Sequence, residues 1–134
     1  MHIPVHEISG LLTYWTLAKV NLAHLHNLTP HQFIALGFIV SQGLISFKEL
    51  RQILAIPMSS FTFLVDKLER RKLVKRERSK HDRRQWLLKA TKKGNSLANN
   101  IIEEETVILQ SLASKSPSFK MASLDKILSK FPFQ

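Results

Sequence analysis

The stretch KRERSKHDRRQW, residues 75–86, places six Lys or Arg in its first ten positions and then turns aromatic. Taken alone it reads as a solvated loop, because charge-rich stretches between apolar runs usually face water. Its flanks say more. Leu73-Val74 leads in and Trp86-Leu87-Leu88-Lys89-Ala90 leads out, both short and suited to strands. The two runs pair as a hairpin if Trp86, Leu88 and Ala90 turn inward, leaving a charged tip at roughly residues 79–84 beyond the core.

Working outward, Phe61, Leu64, Val65 and Leu68 share one helical face and leave Met58, Ser59, Thr62, Phe63, Asp66, Lys67 and Arg70 outside. Before the break at Ile56-Pro57, Ser46-Phe47-Lys48-Glu49 writes a capping box. Phe47, Leu50, Ile53 and Leu54 then fall on one face of a short helix ending near Ala55. A short helix, a tight turn and a second helix make a helix-turn-helix, whose second helix fits a DNA major groove; any small helical hairpin is the alternative. With the charged hairpin behind it, the unit reads as a helix-turn-helix followed by a wing.

Thr29-Pro30-His31-Gln32 combines a cap hydroxyl, a proline at the first helical position and a glutamine three residues after the cap, so a helix starts there, with Gly43 as its stop. Thr91 caps a long helix in which Leu97, Ile101, Ile102, Ile108, Leu109 and Leu112 recur at helical spacing. Glu103-Glu104-Glu105 fall on its wet side, and it ends near Ser114. The first segment, about residues 5–27, carries Ile8, Leu11, Leu12, Trp15, Leu22 and Leu25; the last, from about Ser118, carries Phe119, Leu124, Ile127, Leu128 and Phe131. A small winged module cannot cover so much apolar surface, so these terminal helices are expected to pair with a second copy, with folding back within one chain as the alternative. The fold class expected is mainly α with a small β-hairpin.

At 134 residues the chain has the size of one domain. Between Lys48 and Lys93 stand fifteen Lys or Arg against five acids, so the whole net charge of +10 sits there and the remainder is neutral. A basic segment in a neutral frame points to a polyanion, either nucleic acid or an anionic membrane. A membrane-surface helix needs a free apolar stripe, and the core uses this one. The absence of cysteine excludes disulfides, thiolate metal sites and thiol-based redox sensing. The N-terminus lacks the pattern of a signal peptide and no apolar run spans a bilayer, so a cytoplasmic location is expected. Six histidines, among them His24, His26 and His31, and His2 with His6, raise a metal site, but no thiolate or tight cluster supports it. No Gly-flanked nucleophile, phosphate-cradling loop or spaced acid pair appears, so neither catalysis nor a cofactor is expected.

The run Leu64-Val65-Asp66-Lys67-Leu68-Glu69-Arg70-Arg71, then Leu73-Val74, Asp82-Arg83-Arg84, and finally Thr91 and Gly94, resembles the MarR family of winged-helix transcription regulators from recognition helix through wing to dimer helix. The resemblance covers nearly the whole chain. It implies a single domain with residues 29–94 as the DNA-binding part and residues 1–28 and 95–134 as the dimerisation part. It further implies a homodimer with two recognition helices in successive major grooves of double-stranded DNA and wings at the flanking minor grooves. Such proteins mostly repress, and many release DNA on binding a small molecule. The chain departs from the family at Pro57 and Met58, where an N-capping serine and a basic residue are frequent, and at Phe63, where a polar residue is common. Lys72 stands where glycine is usual, at a helix end whose left-handed conformation costs a lysine about 1 kcal/mol.

On this reading Ser59, Ser60 and Thr62 reach base edges or phosphates and Lys67 and Arg70 meet phosphates, with ordinary helix surface as the alternative; Met58 and Phe63 either press on thymine methyls or are simply tolerated exposed hydrophobes. In the wing, Asp82 holds the tip in shape by accepting from Arg84 or a neighbour. Arg84, or else Arg83, enters a narrow A·T-rich minor groove, and Lys80 and Arg83 lie on phosphates. The resemblance places a small-molecule effector pocket between the first two helices and the start of the long one, with Tyr14, Trp15 and His31 as candidates. The rival reading is a nucleoid-type DNA binder of low specificity, or an RNA-binding winged helix.

Overall fold

The computed structural model describes residues 5–115, except that the side chains of residues 5–8, 11, 112, 113 and 115 are not part of the description. The last apolar segment, with Phe119, Leu124, Ile127, Leu128 and Phe131, lies outside the described residues, as do His2 and the side chains of His6, Ile8, Leu11 and Leu112. Along the chain run α1 (Val5–Leu25), α2 (Pro30–Gln42), β1 (Ile45–Ser46), α3 (Phe47–Leu54), α4 (Met58–Arg70), β2 (Val74–Arg78), β3 (Trp86–Ala90) and α5 (Lys92–Lys115). The strands form an antiparallel sheet in the order β1-β3-β2.

Local chemistry sets these boundaries. Thr29 Oγ1 accepts the Gln32 N–H at 3.2 Å while the Gln32 side chain accepts the Thr29 N–H at 3.0 Å, a reciprocal cap that starts α2 at Pro30. Gly43, at φ 73°, ends that helix. Ser46 Oγ accepts the Glu49 N–H at 3.0 Å and starts α3, which Ala55 closes in the left-handed region at φ 52°. Three residues, Ala55 to Pro57, then separate α3 from α4.

One core joins the elements. Leu36 and Ile39 of α2, Leu50 of α3, Phe61, Leu64, Val65 and Leu68 of α4, Leu73, Val74 and Leu88 around the hairpin, and Ile101 of α5 are all buried in it. The rings of Phe47 and Phe61 meet edge to face at 4.5 Å between centroids, locking α3 to α4.

Two inward assignments need correction. Ile53 is exposed at the rim of α3, because the helix is only two turns long and its apolar face turns past the core. Trp86, expected inward with Leu88 and Ala90, is 37% exposed, since β3 leaves the core at its first residue and the indole lies under the Arg78 guanidinium instead. Strand β1 was not anticipated; its two residues pair with Leu87 and Leu88.

The turn after α4 is a junction. Lys72 takes the left-handed conformation at φ 59°, as the helix end required, and the Leu73 N–H returns to the Leu68 carbonyl at 3.0 Å. Thr91 Oγ1 donates to the Lys72 carbonyl and accepts the Gly94 N–H at 3.0 Å, capping α5. A Cβ on Gly94 would lie 2.0 Å from the Leu73 carbonyl oxygen, so only glycine allows this approach of α5 to the turn.

Candidate nucleic-acid interface and adjoining cleft

Helix α4 buries one face and presents the other. Met58, Ser59, Ser60, Phe63, Lys67 and Arg70 are exposed and Thr62 is half-buried, so the residues proposed to read DNA lie together on one free surface. Pro57 offers no side-chain cap, which leaves the first-turn N–H groups of α4 without a side-chain acceptor. The Lys67 ammonium sits 5.1 Å over the Phe63 ring, which is 60% exposed, and holds that phenyl beside the charge.

The acids of α4 are neutralised from behind. Arg76 of β2 pairs through Nη2 with Asp66 and through Nε with Glu69, and its guanidinium stacks 5.5 Å from the Phe47 ring. Lys67 and Arg70 are thus left without an acidic partner among the described residues, and the free face of α4 is net positive. In the sequence Arg76 stands out only as one more charge. Its strand position, two residues after buried Val74, was the signal that it faces the helix.

At the wing, residues 79–85 fold into a braced loop. The Ser79 N–H donates to the Gln85 carbonyl at 3.0 Å and the Gln85 N–H to the Asp82 carbonyl at 2.9 Å. Ser79, buried, accepts the N–H groups of His81 and Asp82 on its hydroxyl, each at 3.3 Å. Asp82 Oδ1 accepts the Arg84 N–H at 3.0 Å. Arg78 Nη1 donates to the Arg83 carbonyl at 2.7 Å while its guanidinium lies 3.8 Å from the Trp86 ring centroid. Lys80, Arg83 and Arg84 extend from this loop exposed. Ser79 and Arg78 went unremarked in the sequence, because a hydroxyl braces a loop only once its turn is known.

Arg71 points the other way. It donates from Nη1 to the Asn27 carbonyl at 2.8 Å and from Nη2 to the His26 carbonyl at 2.9 Å, tying the end of α4 to the corner between α1 and α2. His26 Nε2 in turn lies 3.1 Å from Glu104 Oε2 on α5. Lys19 of α1 is 3.6 Å from Glu105 Oε1. Glu104 and Glu105, expected on the wet side, are therefore half-buried against α1, and only Glu103 of the three is exposed.

A cleft of about 310 Å³ opens between α1, α2 and α5. Its walls include Phe33, Ile34, Gly37, Phe38, Ile101 and Ile102, with Lys19, Ser41 and Glu105 at its polar edge. The three helices are those expected, but Tyr14, Trp15 and His31 do not line the cleft; Tyr14 and His31 are exposed, and Trp15 touches it only through Lys19, whose ammonium lies 5.0 Å over its ring. Among the described residues no group of three or more His, Asp or Glu is placed to hold a metal, and no helix is long and apolar enough to cross a membrane.

A short helix, a three-residue turn, an exposed second helix and a braced basic hairpin define a winged helix-turn-helix protein. The MarR family profile matches residues 26–85. The HTH-type transcriptional regulator MhqR of Bacillus subtilis (strain 168) is 30% identical over 91 residues, which are 68% of this chain and 63% of that protein, so under two thirds of its length is matched. Among solved structures, NadR in complex with 4-hydroxyphenylacetate superposes with a TM-score of 0.74 at 22% identity, over 96% of this chain and 92% of that one. A mutant MarR of E. coli complexed with operator DNA superposes at 0.66 and 22%, over 92% of each chain. The family profile and the MhqR relative both indicate the MarR family.

Proposed function

We propose that this protein is a homodimeric, sequence-specific DNA-binding transcription regulator, a repressor whose affinity for duplex DNA changes when a small molecule occupies the cleft. The observation that carries the reading is the free face of α4, cleared of acid by Arg76 and continued by a wing tip bearing Lys80, Arg83 and Arg84. Residues 29–94 form the DNA-binding part and the flanking helices the dimerisation part. Ser59, Ser60, Thr62, Met58 and Phe63 face the major groove, Lys67, Arg70, Lys80 and Arg83 the phosphates, and Arg84 the minor groove, with Asp82 fixing the tip. No catalytic step is assigned to any residue.

The MarR complex with operator DNA and the NadR complex with an aromatic acid support the two halves of this reading by kinship. Selection of bound duplexes from a randomised pool, followed by competition with unrelated DNA and double-stranded RNA, tests it. A recovered two-fold symmetric site that resists both competitors is the expected result. Equal displacement by unrelated duplex DNA would leave a nucleoid-type binder, and displacement by RNA an RNA-binding winged helix.

A further inference from the structure

The cleft between α1, α2 and α5 has apolar walls, and each polar side chain at its edge is already engaged. The Lys19 ammonium stands 3.6 Å from Glu105 and over the Trp15 ring, and Ser41 Oγ donates to the Phe38 carbonyl at 3.1 Å. Among the described residues no other charged group lines it. Gly37 lies in its wall near the middle of α2, where glycine weakens a helix relative to alanine, and a Cβ there would meet nothing within 4 Å. Gly37 is exposed along the cleft, so a long side chain there would extend over its opening. A charged guest would enter without a counter-ion: a carboxylate reaching Lys19 meets Glu105 beside it, and burying unpaired charge is costly.

We propose that this cleft takes an uncharged aromatic or alicyclic small molecule and discriminates against carboxylates of the same shape. The proposal rests on the ligand-modulation reading above and names the ligand class. Calorimetric titration of the full chain with a naphthol and with the matching naphthoate at neutral pH tests it. The naphthol is expected to bind about tenfold or more tightly than the naphthoate. Gly37→Leu should abolish naphthol binding with the helical circular dichroism intact, and Gly37→Ala, the gentler change, should weaken it in part. Glu105→Gln, which frees Lys19, should raise naphthoate affinity by roughly tenfold. Naphthoate binding as tightly as naphthol, or naphthol binding untouched by Gly37→Leu, overturns the class assignment while leaving a ligand site. Binding of neither probe removes the cleft as a ligand site altogether, and leaves the DNA-binding half of the proposed function standing.

Discussion

Lys80 and Arg84 leave the same braced loop, yet they are proposed to do different work. A lysine on a phosphate releases one condensed counter-ion, so Lys80→Ala should weaken all duplexes alike and flatten the plot of log affinity against log salt by about 0.9. Arg84→Ala should cost about 1 to 3 kcal/mol and relax the preference for A·T pairs at the flanks of the site, because an arginine in a narrow minor groove reads its potential. Filter binding across a salt series on matched duplexes separates the two, and both variants should stay folded, since neither side chain is packed. At Gly94 a single methyl decides stability instead. The Leu73 carbonyl would lie 2.0 Å from it, and both partners are backbone, so Gly94→Ala should destabilise the fold by about 1 to 3 kcal/mol in chemical denaturation.

Among elements, the joint between α4 and the hairpin carries most of the charge design. Arg76→Gln should lower duplex affinity although Arg76 is not among the residues proposed to face DNA, because Asp66 and Glu69 would then stand uncompensated on α4. The stability cost should be only about 1 kcal/mol, as both acids are partly exposed and screened; electrophoretic mobility shift and thermal melting on the same variant check both halves. The boundaries of α2, α3 and α4 were legible because capping hydroxyls, Pro30 and the Ile56-Pro57 break act within a few residues of themselves. Strand β1 was not, since two residues become a strand only through a partner some forty positions away. Glu104 and Glu105 misled for the same reason: on an isolated helix they are solvated, and only the packing of α1 brings His26 and Lys19 to them. The exposed face of α4 could be read from periodicity. The cleft wall could not, since Gly37 announces itself only when the helix opposite is in place.

At the scale of the whole molecule, α1 and α5 show apolar surface that no other described element covers. Leu12 and Leu17 of α1 and Ile102 and Val107 of α5 are all more than half exposed. The full chain should therefore scatter light as a dimer at micromolar concentration, and Leu17→Glu with Val107→Glu should shift it toward monomer and weaken duplex binding. A wild-type monomer under those conditions would contradict the proposed assembly. The positions of the two tryptophans give the molecule an optical property as well. Trp86 lies under Arg78 at the root of the wing, and Trp15 lies under Lys19 at the lip of the cleft, so each indole emits from beside a cation that one binding event would disturb. In Trp15→Phe the remaining fluorescence should respond to duplex DNA and stay unchanged on adding naphthol; in Trp86→Phe the response should invert. The protein thus carries two native dyes, one for each of its proposed guests, and needs no label for the traffic between them to be watched in real time.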